Sequence, residues 1–316
     1  MVQVAVIGAG TMGHALALVF ALGGHRVALT DSHAPTLARA LPMMNTALAT
    51  LIETGEADRS WTADRLAQAV MRRESLETAL DGAELIIEAI IENPEAKRTL
   101  FGQIATHADD GAIIASNTSS LDVFPLVPER LKRRTMIGHW YAPPYLVDLV
   151  DVVAGPGMTD ATVDWFRSLV MAMGKFPVVL KKFVPGYIAN RIQEVMLIEV
   201  LRLIDEGVAT AQQIDDSVIH GLALRMPILG VMCKADFSGL DIVQSVIAHR
   251  TEQPPKNPRA SATLDRLVAE GRTGVKRGRG FFDWTGHDVD ELSRDRDRRL
   301  IALKQKLRQI RPIQGD

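Results

Sequence analysis

The spacing of apolar residues along the chain changes near residue 185. Before that point, short β-branched and aliphatic runs alternate with longer stretches whose apolar residues recur every three to four positions. Runs of the first kind are typical of buried strands, and stretches of the second kind are typical of amphipathic helices. The predicted strands are residues 2–7, 25–31, 83–90, 111–119, 134–140, 146–155 and 176–182, and the predicted helices are residues 11–22, 34–54, 62–80, 95–105 and 160–173.

Strands that alternate with helices predict an α/β domain with a doubly wound, mostly parallel sheet. After residue 185 the pattern is helical, with predicted helices at 187–207, 210–224, 241–250, 260–271 and 288–311. The sequence therefore predicts an α/β domain over residues 1–184 and an all-α domain over residues 185–316. The helix at 288–311 is highly charged and carries a leucine stripe. Two interpretations of it stay open: it packs on its own domain, or it contacts a second copy of the chain.

Composition narrows the classes of partner. The chain has 316 residues, of which 47% are hydrophobic, and this suits two globular domains. Its net charge of −2 argues against a nucleic-acid partner. The single cysteine, Cys233, excludes an intrachain disulfide and is typical of a reducing compartment. With no signal-peptide pattern and no apolar run near ~18 residues, we expect a cytoplasmic protein that does not span a membrane.

A glycine-rich turn follows the first predicted strand. Gly8, Gly10 and Gly13 have the spacing G-x-G-x-x-G directly before a helix. In such a turn the first glycine allows the tight bend, the second admits a pyrophosphate, and the third allows close packing of helix and strand. Asp31 ends the next strand, where a carboxylate accepts hydrogen bonds from both ribose hydroxyls. We therefore expect a Rossmann-type domain that binds NAD rather than NADP, because Asp31 repels a 2′-phosphate.

Polar side chains follow two further predicted strands. Glu88, Glu92 and Lys97 follow the strand at 83–90, and Ser116–Ser120 end the strand at 111–119. Ligands of open α/β sheets bind at the carboxyl ends of the strands. Both groups are thus candidates for contact with a cofactor or with a substrate oxygen. Each group also fits a plain structural role, as a solvated helix surface or as a Ser/Asn turn.

One histidine stands beside an acid in the strand pattern. His139 lies at 134–140, and Asp151 lies in the next apolar run, on the opposite face of its strand from Asp148. Hydride transfer from an alcohol needs a base, and a neutral histidine held by a carboxylate suits this task near pH 7. Taken alone, His139 also fits a structural role. The other histidines show no spacing typical of a metal site, so no metal is expected.

These segments together resemble the L-3-hydroxyacyl-CoA dehydrogenase family from Val2 to about Trp284. The matching segments occur in the family's order: GAGTMG, EAIIENPEAK, SNTSSL, GHWYAPPYLVDLVDVV, VPGYIANRI and GVKRGRGFFDW. The last of these resembles the family's closing glycine-rich loop. Read alone, this basic loop also suits nucleic acid, but the nearly neutral chain and the single short cluster argue against that interpretation.

The resemblance implies a role for each matching residue. His139 would be the general base, Asp151 the acid that orients it, and Ser119 and Asn190 the residues that bind the reacting oxygen and hold the histidine. The cofactor site would comprise Gly8, Gly10, Thr11, Met12, Gly13, Asp31, Ala89, Glu92, Lys97, Asn117 and Lys276. The implied reaction is NAD-dependent oxidation of the 3-hydroxyl of a short-chain L-3-hydroxyacyl-CoA, in fatty acid metabolism. The resemblance also implies a homodimer formed through the helical domain.

The chain departs from the family between His139 and Asp151. The family commonly has glutamate in place of Asp151, phenylalanine-like residues after the histidine, and asparagine in place of Ala142. Trp140 would add bulk beside the base, and the shorter acid calls for a backbone shift or a bridging water. The segment Pro143–Tyr145 is similar to that of branches that act on free hydroxy acids, such as gulonate and carnitine.

The substrate therefore has two candidates, the CoA thioester and a small free acid. Basic residues that suit the 3′-phosphate of CoA are Arg59, Arg65, Arg72 and Arg73, and aromatic residues that suit a quaternary ammonium are Trp140, Tyr141, Tyr145 and Tyr187. A third interpretation is a family member that binds NAD without catalysis. The intact His139, Ser119 and Asn190 argue against it.

Overall fold

The computed structural model describes residues 1–249 and 261–310, and the chain divides into two compact units. The first unit spans Met1–Ala189 and the second spans Asn190–Asp316. This division lies a few residues after the boundary that the sequence predicts. The last residue of the predicted helix at 241–250, the first residue of the one at 260–271 and the last residue of the one at 288–311 lie outside the described residues.

The first unit is built on one eight-stranded sheet. Its strands are β1 Gln3–Ile7, β2 Arg26–Thr30, β3 Val70–Arg72, β4 Leu85–Glu88, β5 Ile113–Ser116, β6 Thr135–Trp140, β7 Leu149–Val153 and β8 Phe176–Leu180. They lie in the order β3-β2-β1-β4-β5-β6-β7-β8, and all neighbours are parallel except β6 and β7. The chain order reverses between β1 and β4, which is where open α/β sheets bind their ligands.

Helices cover this sheet. They are α1 Gly13–Leu22, α2 Ala34–Glu53, α3 Ala63–Ala69, α4 Leu76–Leu80, α5 Pro94–His107, α6 Glu129–Lys132 and α7 Asp160–Ala172. Helix α1 is apolar nearly all round and is buried almost throughout, as expected of a helix that is covered on every side. Helix α5 begins at Pro94, one residue before the predicted start, and Asn93 caps it by accepting the N–H of Ala96 at 2.9 Å.

The core on one face of the sheet joins β1, β4, β5 and β6 to α5. Ile86, Ile114 and Ile137 pack there with Phe101 and Tyr187. Tyr187 comes from the segment after the last strand, and its ring is fully buried in this core. The end of the first unit is therefore fixed against the same strands that carry the polar segments.

The helix predicted at residues 62–80 is wrong in its middle. The structure has α3, then the short strand β3, then α4. Val70 and Met71 pair in parallel with Val27 and Ala28 of β2, so hydrogen bonds to the sheet edge replace helical ones there. A strand this short has too few residues to show an alternation that differs from helical spacing.

The described part of the second unit is helical, as predicted. Its helices are α8 Ala189–Asp205, α9 Ala211–Ser217, α10 Met226–Leu229, α11 Met232–Ser238, α12 Leu240–Ala248, α13 Ala262–Ala269 and α14 Val289–Gln309, with a π-helical turn at Val218–Ala223. Thr210 caps α9 in a reciprocal box with Gln213. Among the described helices no single one is long and apolar enough to cross a membrane, and one pair bent by 100° reaches that length and composition together.

Helix α14 matches the charged helix predicted at residues 288–311. Asp288 caps it by accepting the N–H of Glu291 at 2.7 Å. Ile301 is buried, whereas Leu300 and Leu303 are about half exposed. One side of the helix is therefore packed and the other is available for a further contact, so both interpretations of this helix stay open.

Candidate active site

The glycine-rich turn joins β1 to α1 at the point where the strand order reverses. Gly8 has a φ of +97°, and a Cβ there would lie 2.5 Å from the carbonyl oxygen of Ala89. A Cβ at Gly13 would lie 1.6 Å from the carbonyl oxygen of Gly8, whereas a Cβ at Gly10 meets nothing within 4 Å. Two glycines thus serve the turn and the helix contact. Gly10 leaves open space before the N-terminus of α1, the place where a pyrophosphate fits.

His14 holds this turn from within α1, a role that the sequence analysis missed. Its Nδ1 lies 2.6 Å from the carbonyl oxygen of Gly10, and a carbonyl only accepts, so the ring nitrogen donates. Burial lowers the pKa of His14, against the hydrogen bond to Gly10, which raises it. The ring is therefore neutral near pH 7. The position directly after Gly13 is the one sequence signal that points to it.

Asp31, directly after β2, fixes the same turn with one carboxylate oxygen and its own loop with the other. Oδ2 accepts the N–H of Ala9 at 2.7 Å, and Oδ1 accepts the N–H of His33 at 2.8 Å. Asp31 also lines a cleft of about 860 Å³. Other residues of this cleft are Gly8, Gly10, Ala89 and Glu74. Asp31, Glu74 and Glu95 make three acids in its lining, which contains no Lys or Arg among the described residues, and such a lining suits ribose hydroxyls and repels a 2′-phosphate.

A buried network of charged and polar side chains lies at the carboxyl ends of β4 and β5. Glu88 is fully buried and accepts hydrogen bonds from Lys97 Nζ, at 2.6 Å, and from the hydroxyl of Ser116. Lys97 is also buried, and its Nζ lies 3.4 Å from Glu92 Oε2. The buried ammonium of Lys97 is thus paired with two carboxylates, and a buried charge requires such pairing. Lys97 therefore anchors Glu92 from the interior of the fold.

Glu92 in turn fixes the loop that follows β5. Its Oε1 accepts hydrogen bonds from the hydroxyl of Thr118 at 2.7 Å and from the backbone N–H groups of Ser119, at 2.7 Å, and Ser120, at 2.9 Å. Burial alone would raise the pKa of Glu92, but these hydrogen bonds and the charge of Lys97 hold it below its ordinary value. Glu92 is therefore an anchored carboxylate, and Ser119 lies exposed on the loop that it holds.

Asn117 joins this loop to β6. Its side-chain oxygen accepts the N–H of Trp140 at 2.8 Å, and its own N–H donates to the carbonyl of Glu88 at 2.7 Å. The polar groups that end β4 and β5 are therefore connected to the end of the strand that carries His139.

His139 and Asp151 face each other across the antiparallel pair of β6 and β7. They are direct partners in the register, and both side chains are buried. His139 Nδ1 lies 3.5 Å from Asp151 Oδ2, which is close enough for charge interaction and longer than a good hydrogen bond. The structure therefore brings together the two residues that the family resemblance pairs. The longer contact agrees with the shorter acid.

Two tyrosines flank the imidazole of His139. The Tyr141 ring meets it edge-on with 4.6 Å between centroids, and the Tyr187 ring stacks on it at 4.7 Å. The Tyr141 hydroxyl donates to Asp151 Oδ2 at 2.7 Å, and the Tyr187 hydroxyl donates to the carbonyl of Thr118 at 2.6 Å. Burial, with the charges of Glu92 and Asp151, raises the pKa of Tyr187, so its hydroxyl stays protonated. Tyr187 lies far from His139 in the sequence, so its contact is tertiary, whereas Tyr141 is only two residues away. The sequence analysis considered both tyrosines only as contacts for an ammonium ligand.

Trp140 does not crowd the base, which corrects the expectation from the sequence. Its ring is buried and meets the Phe20 ring of α1 at 5.7 Å between centroids. Successive residues of a strand point to opposite faces, so Trp140 leaves the face that carries His139. Of the aromatic residues considered for an ammonium ligand, Tyr141 and Tyr187 converge on the imidazole and Trp140 does not.

The second unit carries two further predicted site residues. Asn190 lies in α8, and Lys276 lies in a 3₁₀ turn of the glycine-rich loop, so their roles beside the first unit's site stay predictions. Within residues 1–249 and 261–310, no group of three or more His, Cys, Asp or Glu side chains is arranged to hold a metal ion.

The doubly wound sheet, the open glycine-rich turn and the acid after β2 define an NAD-dependent dehydrogenase of the Rossmann type. Comparison with family models identifies the family within this class of dehydrogenases. Residues 3–183 match the NAD binding domain of 3-hydroxyacyl-CoA dehydrogenase, and residues 186–284 match its C-terminal domain. The chain belongs to the 3-hydroxyacyl-CoA dehydrogenase family.

Relatives with different substrates match most of the chain. A 5-formyl-3-hydroxy-2-methylpyridine 4-carboxylate 5-dehydrogenase of Mesorhizobium japonicum is 30% identical, over 96% of this chain and 98% of its own. The mitochondrial hydroxyacyl-coenzyme A dehydrogenase of Sus scrofa is 32% identical, over 89% of this chain and 91% of its own. A solved structure of a 5-formyl-3-hydroxy-2-methylpyridine 4-carboxylic acid 5-dehydrogenase, described as an NAD⁺-dependent dismutase, has a TM-score of 0.85 and 28% identity, and the match covers 98% of this chain and 99% of that one.

Proposed function

We propose that the protein oxidises a hydroxyl group of a small carboxylate that is not a CoA thioester, with His139 as the general base. The chemistry rests on one observation, the buried pair of His139 and Asp151 beside the loop that Glu92 fixes. NAD-dependent oxidation of a hydroxyl group is common to the family. The identity of the base and of the substrate is our proposal.

Residues of the first unit suffice to outline the proton transfer. When bound, NAD supplies the hydride acceptor, and Gly10, Asp31 and the N-terminus of α1 would hold it, with Thr11 and Met12 at the same turn. Nδ1 of His139 faces Asp151, so Nε2 would take the proton of the substrate hydroxyl. Asp151 would balance the charge that the imidazole gains.

Oxygen binding is assigned to Ser119 and Asn190. Ser119 is exposed on a loop whose backbone N–H groups are fixed by Glu92, so its hydroxyl would meet the substrate oxygen without further ordering. Asn190 completes the proposal from the second unit, as the resemblance implies. Lys276, in the closing glycine-rich loop at residues 274–284, would contact the cofactor.

Two observations support a small carboxylate as the substrate. The match to the pyridine carboxylate dehydrogenase extends over 98% of this chain, beyond the family models that end at residue 284. One arginine considered for CoA is already engaged, because Arg65 lies 4.2 Å over the Trp61 ring and donates to the hydroxyl of Ser60. Helix α2, before it, has Arg39 as its one basic residue.

A short-chain 3-hydroxyacyl-CoA is the second candidate. It is favoured by the match of residues 3–284 to both domains of the family models and by the 32% identity to the mitochondrial hydroxyacyl-coenzyme A dehydrogenase. Fatty acid metabolism would follow from this candidate alone.

A panel of substrates separates the two candidates. NADH formation is measured with 3-hydroxybutyryl-CoA, free 3-hydroxybutyrate, gulonate and carnitine at equal concentrations. We expect a free acid to have a kcat/KM at least about tenfold above that of the thioester, the change that ~1.4 kcal/mol of transition-state binding gives. A preference for 3-hydroxybutyryl-CoA would select the second candidate. NAD binding without turnover of any panel member would favour a protein that binds NAD without catalysis.

A further inference from the structure

Asp151 is a buried carboxylate with few partners. Its Oδ2 accepts the hydroxyl of Tyr141 at 2.7 Å and lies 3.5 Å from His139 Nδ1. Its Oδ1 has no hydrogen-bond partner among the described residues. A carboxylate removed from water needs hydrogen bonds to remain charged, so the one from Tyr141 is important for this acid.

We propose that Tyr141 is a positioning residue for the reaction, whose hydroxyl holds Asp151 against His139 and fills the gap left by a short acid. The inference rests on the proposed role of His139 as the base. Tyr141 acts through Asp151: it fixes the carboxylate, and the carboxylate keeps the proton of His139 on Nδ1, which leaves Nε2 to accept the proton of the substrate.

The geometry gives the reason that a hydroxyl is needed there. At 3.5 Å, Oδ2 and Nδ1 are farther apart than a strong hydrogen bond allows, so this contact alone directs the carboxylate weakly. One more methylene would extend the acid by about one C–C bond, ~1.5 Å, towards the imidazole. A tyrosine with an aspartate and a phenylalanine with a glutamate have equal numbers of heavy atoms. The exchange of both residues together therefore conserves volume.

Tyr187 provides a matched control for Tyr141. Each tyrosine packs its ring against His139, at 4.6 Å for Tyr141 and 4.7 Å for Tyr187. Replacement of either by phenylalanine removes one oxygen and keeps the ring. The difference is the acceptor, since the Tyr187 hydroxyl donates to the carbonyl of Thr118 and not to Asp151. Only the replacement of Tyr141 is therefore expected to change how a substitution at residue 151 affects kcat.

The test is a double-mutant cycle on the full-length enzyme, with kcat measured on the panel substrate that it oxidises. We expect Tyr141→Phe to lower kcat by about tenfold, the effect of one lost hydrogen bond to a charged group, with the Kd for NAD unchanged. Asp151→Glu alone should also lower kcat, because the extra methylene meets the Tyr141 hydroxyl. The variant Tyr141→Phe/Asp151→Glu should recover kcat to within about threefold of the wild type. The variant Tyr187→Phe/Asp151→Glu should not recover it.

Additive losses in the Tyr141 cycle, or equal recovery in the Tyr187 cycle, would overturn the inference. The variant His139→Asn separates this failure from that of the proposed function. If His139→Asn keeps the wild-type kcat, the base itself is misassigned. If it removes turnover while the Tyr141 cycle is additive, the role of Tyr141 alone is refuted.

A second readout needs neither turnover nor the glutamate variant. In ¹⁵N-histidine NMR spectra of the wild type, the His139 signals, assigned by their loss in His139→Asn, should report one tautomer with the proton on Nδ1. In Tyr141→Phe we expect a mixture of both tautomers, because the carboxylate is no longer held. An unchanged tautomer in Tyr141→Phe would contradict the role.

Discussion

Asp148 and Asp151 lie close together in the sequence and have opposite surroundings. Asp151 is 1% exposed and faces His139 in the register of β6 and β7. The Asp148 side chain is 33% exposed, and Lys175 Nζ lies 3.3 Å from it while donating to the carbonyl of Pro144 at 2.6 Å. Asp151 is therefore in position to act on the imidazole. Asp148 instead pairs with Lys175, which holds the segment after His139 at Pro144.

The two acids should differ sharply when each is replaced by its amide. We predict that Asp151→Asn lowers kcat by about 10²-fold or more, because the imidazole loses its charged partner. Asp148→Asn should lower kcat by less than about threefold, since Asp148 pairs with Lys175 and lies on the opposite face of its strand from Asp151. Steady-state NADH formation by both variants gives the comparison. Equal losses, or a larger loss at residue 148, would show that the wrong acid has been assigned.

The turn between β1 and α1 contains two glycines that the fold requires and one glycine that the cofactor requires. A side chain at Gly8 or Gly13 would collide with backbone atoms, whereas one at Gly10 would enter open space. Gly10 is therefore not required for the turn itself. Its small size matters for what binds before α1, where free N–H groups attract a phosphate.

Gly10→Ala should weaken NAD binding without loss of the fold. We expect the Kd for NAD to rise by about tenfold or more, because the methyl group takes the space of the pyrophosphate, with the Tm in the absence of NAD lowered by no more than a few degrees. Gly102→Ala in α5, where a Cβ also meets nothing within 4 Å, is the matched control and should leave the Kd unchanged. An unaltered Kd in Gly10→Ala would contradict the proposed path of the cofactor.

The second unit exposes many large apolar side chains on α8, α11 and α12. Val195, Leu197, Met232, Phe237, Val246 and Ile247 are each more than half exposed. Contiguous apolar surface is uncommon on monomers and is typical of protein–protein contacts. The family resemblance implies a homodimer through this part of the chain, and the exposed residues supply a surface for it.

We therefore predict a dimer with twice the 34.6 kDa mass of the chain. The variant Val246→Asp should shift the mass measured by light scattering during gel filtration towards the monomer, because a buried unpaired charge opposes association. Met171→Asp replaces an apolar residue of α7 in the first unit that is also more than half exposed, and it should leave the mass unchanged. A wild-type monomer, or dissociation caused by Met171→Asp, would refute the interface.

How much the sequence predicts depends on the range of the interaction. The glycine-rich turn and Asp31 follow from local spacing, and the pairing of His139 with Asp151 follows from the family resemblance. The structure makes His139 and Asp151 direct partners across β6 and β7. Strand β3 was missed because hydrogen bonds to β2, and not its own pattern, define it.

Contacts between distant segments escaped prediction for the same reason. The hydroxyl of Tyr187 bonds to Thr118, which lies far from it in the sequence, and its ring stacks on His139. Trp140 was expected to add bulk beside the base because it follows His139 in the sequence, but its ring packs against Phe20 of α1. Such contacts depend on the packed fold, and no local pattern encodes them.

The replacement of His139 tests the proposed reaction most directly. With the substrate that the panel identifies, kcat and the Kd for NAD are measured for His139→Asn and for the wild type. His139 lies apart from the glycine-rich turn, so we predict an unchanged Kd and a kcat lower by about 10²- to 10⁴-fold, the usual contribution of a general base. A variant that binds NAD and keeps the wild-type kcat would contradict the role of His139.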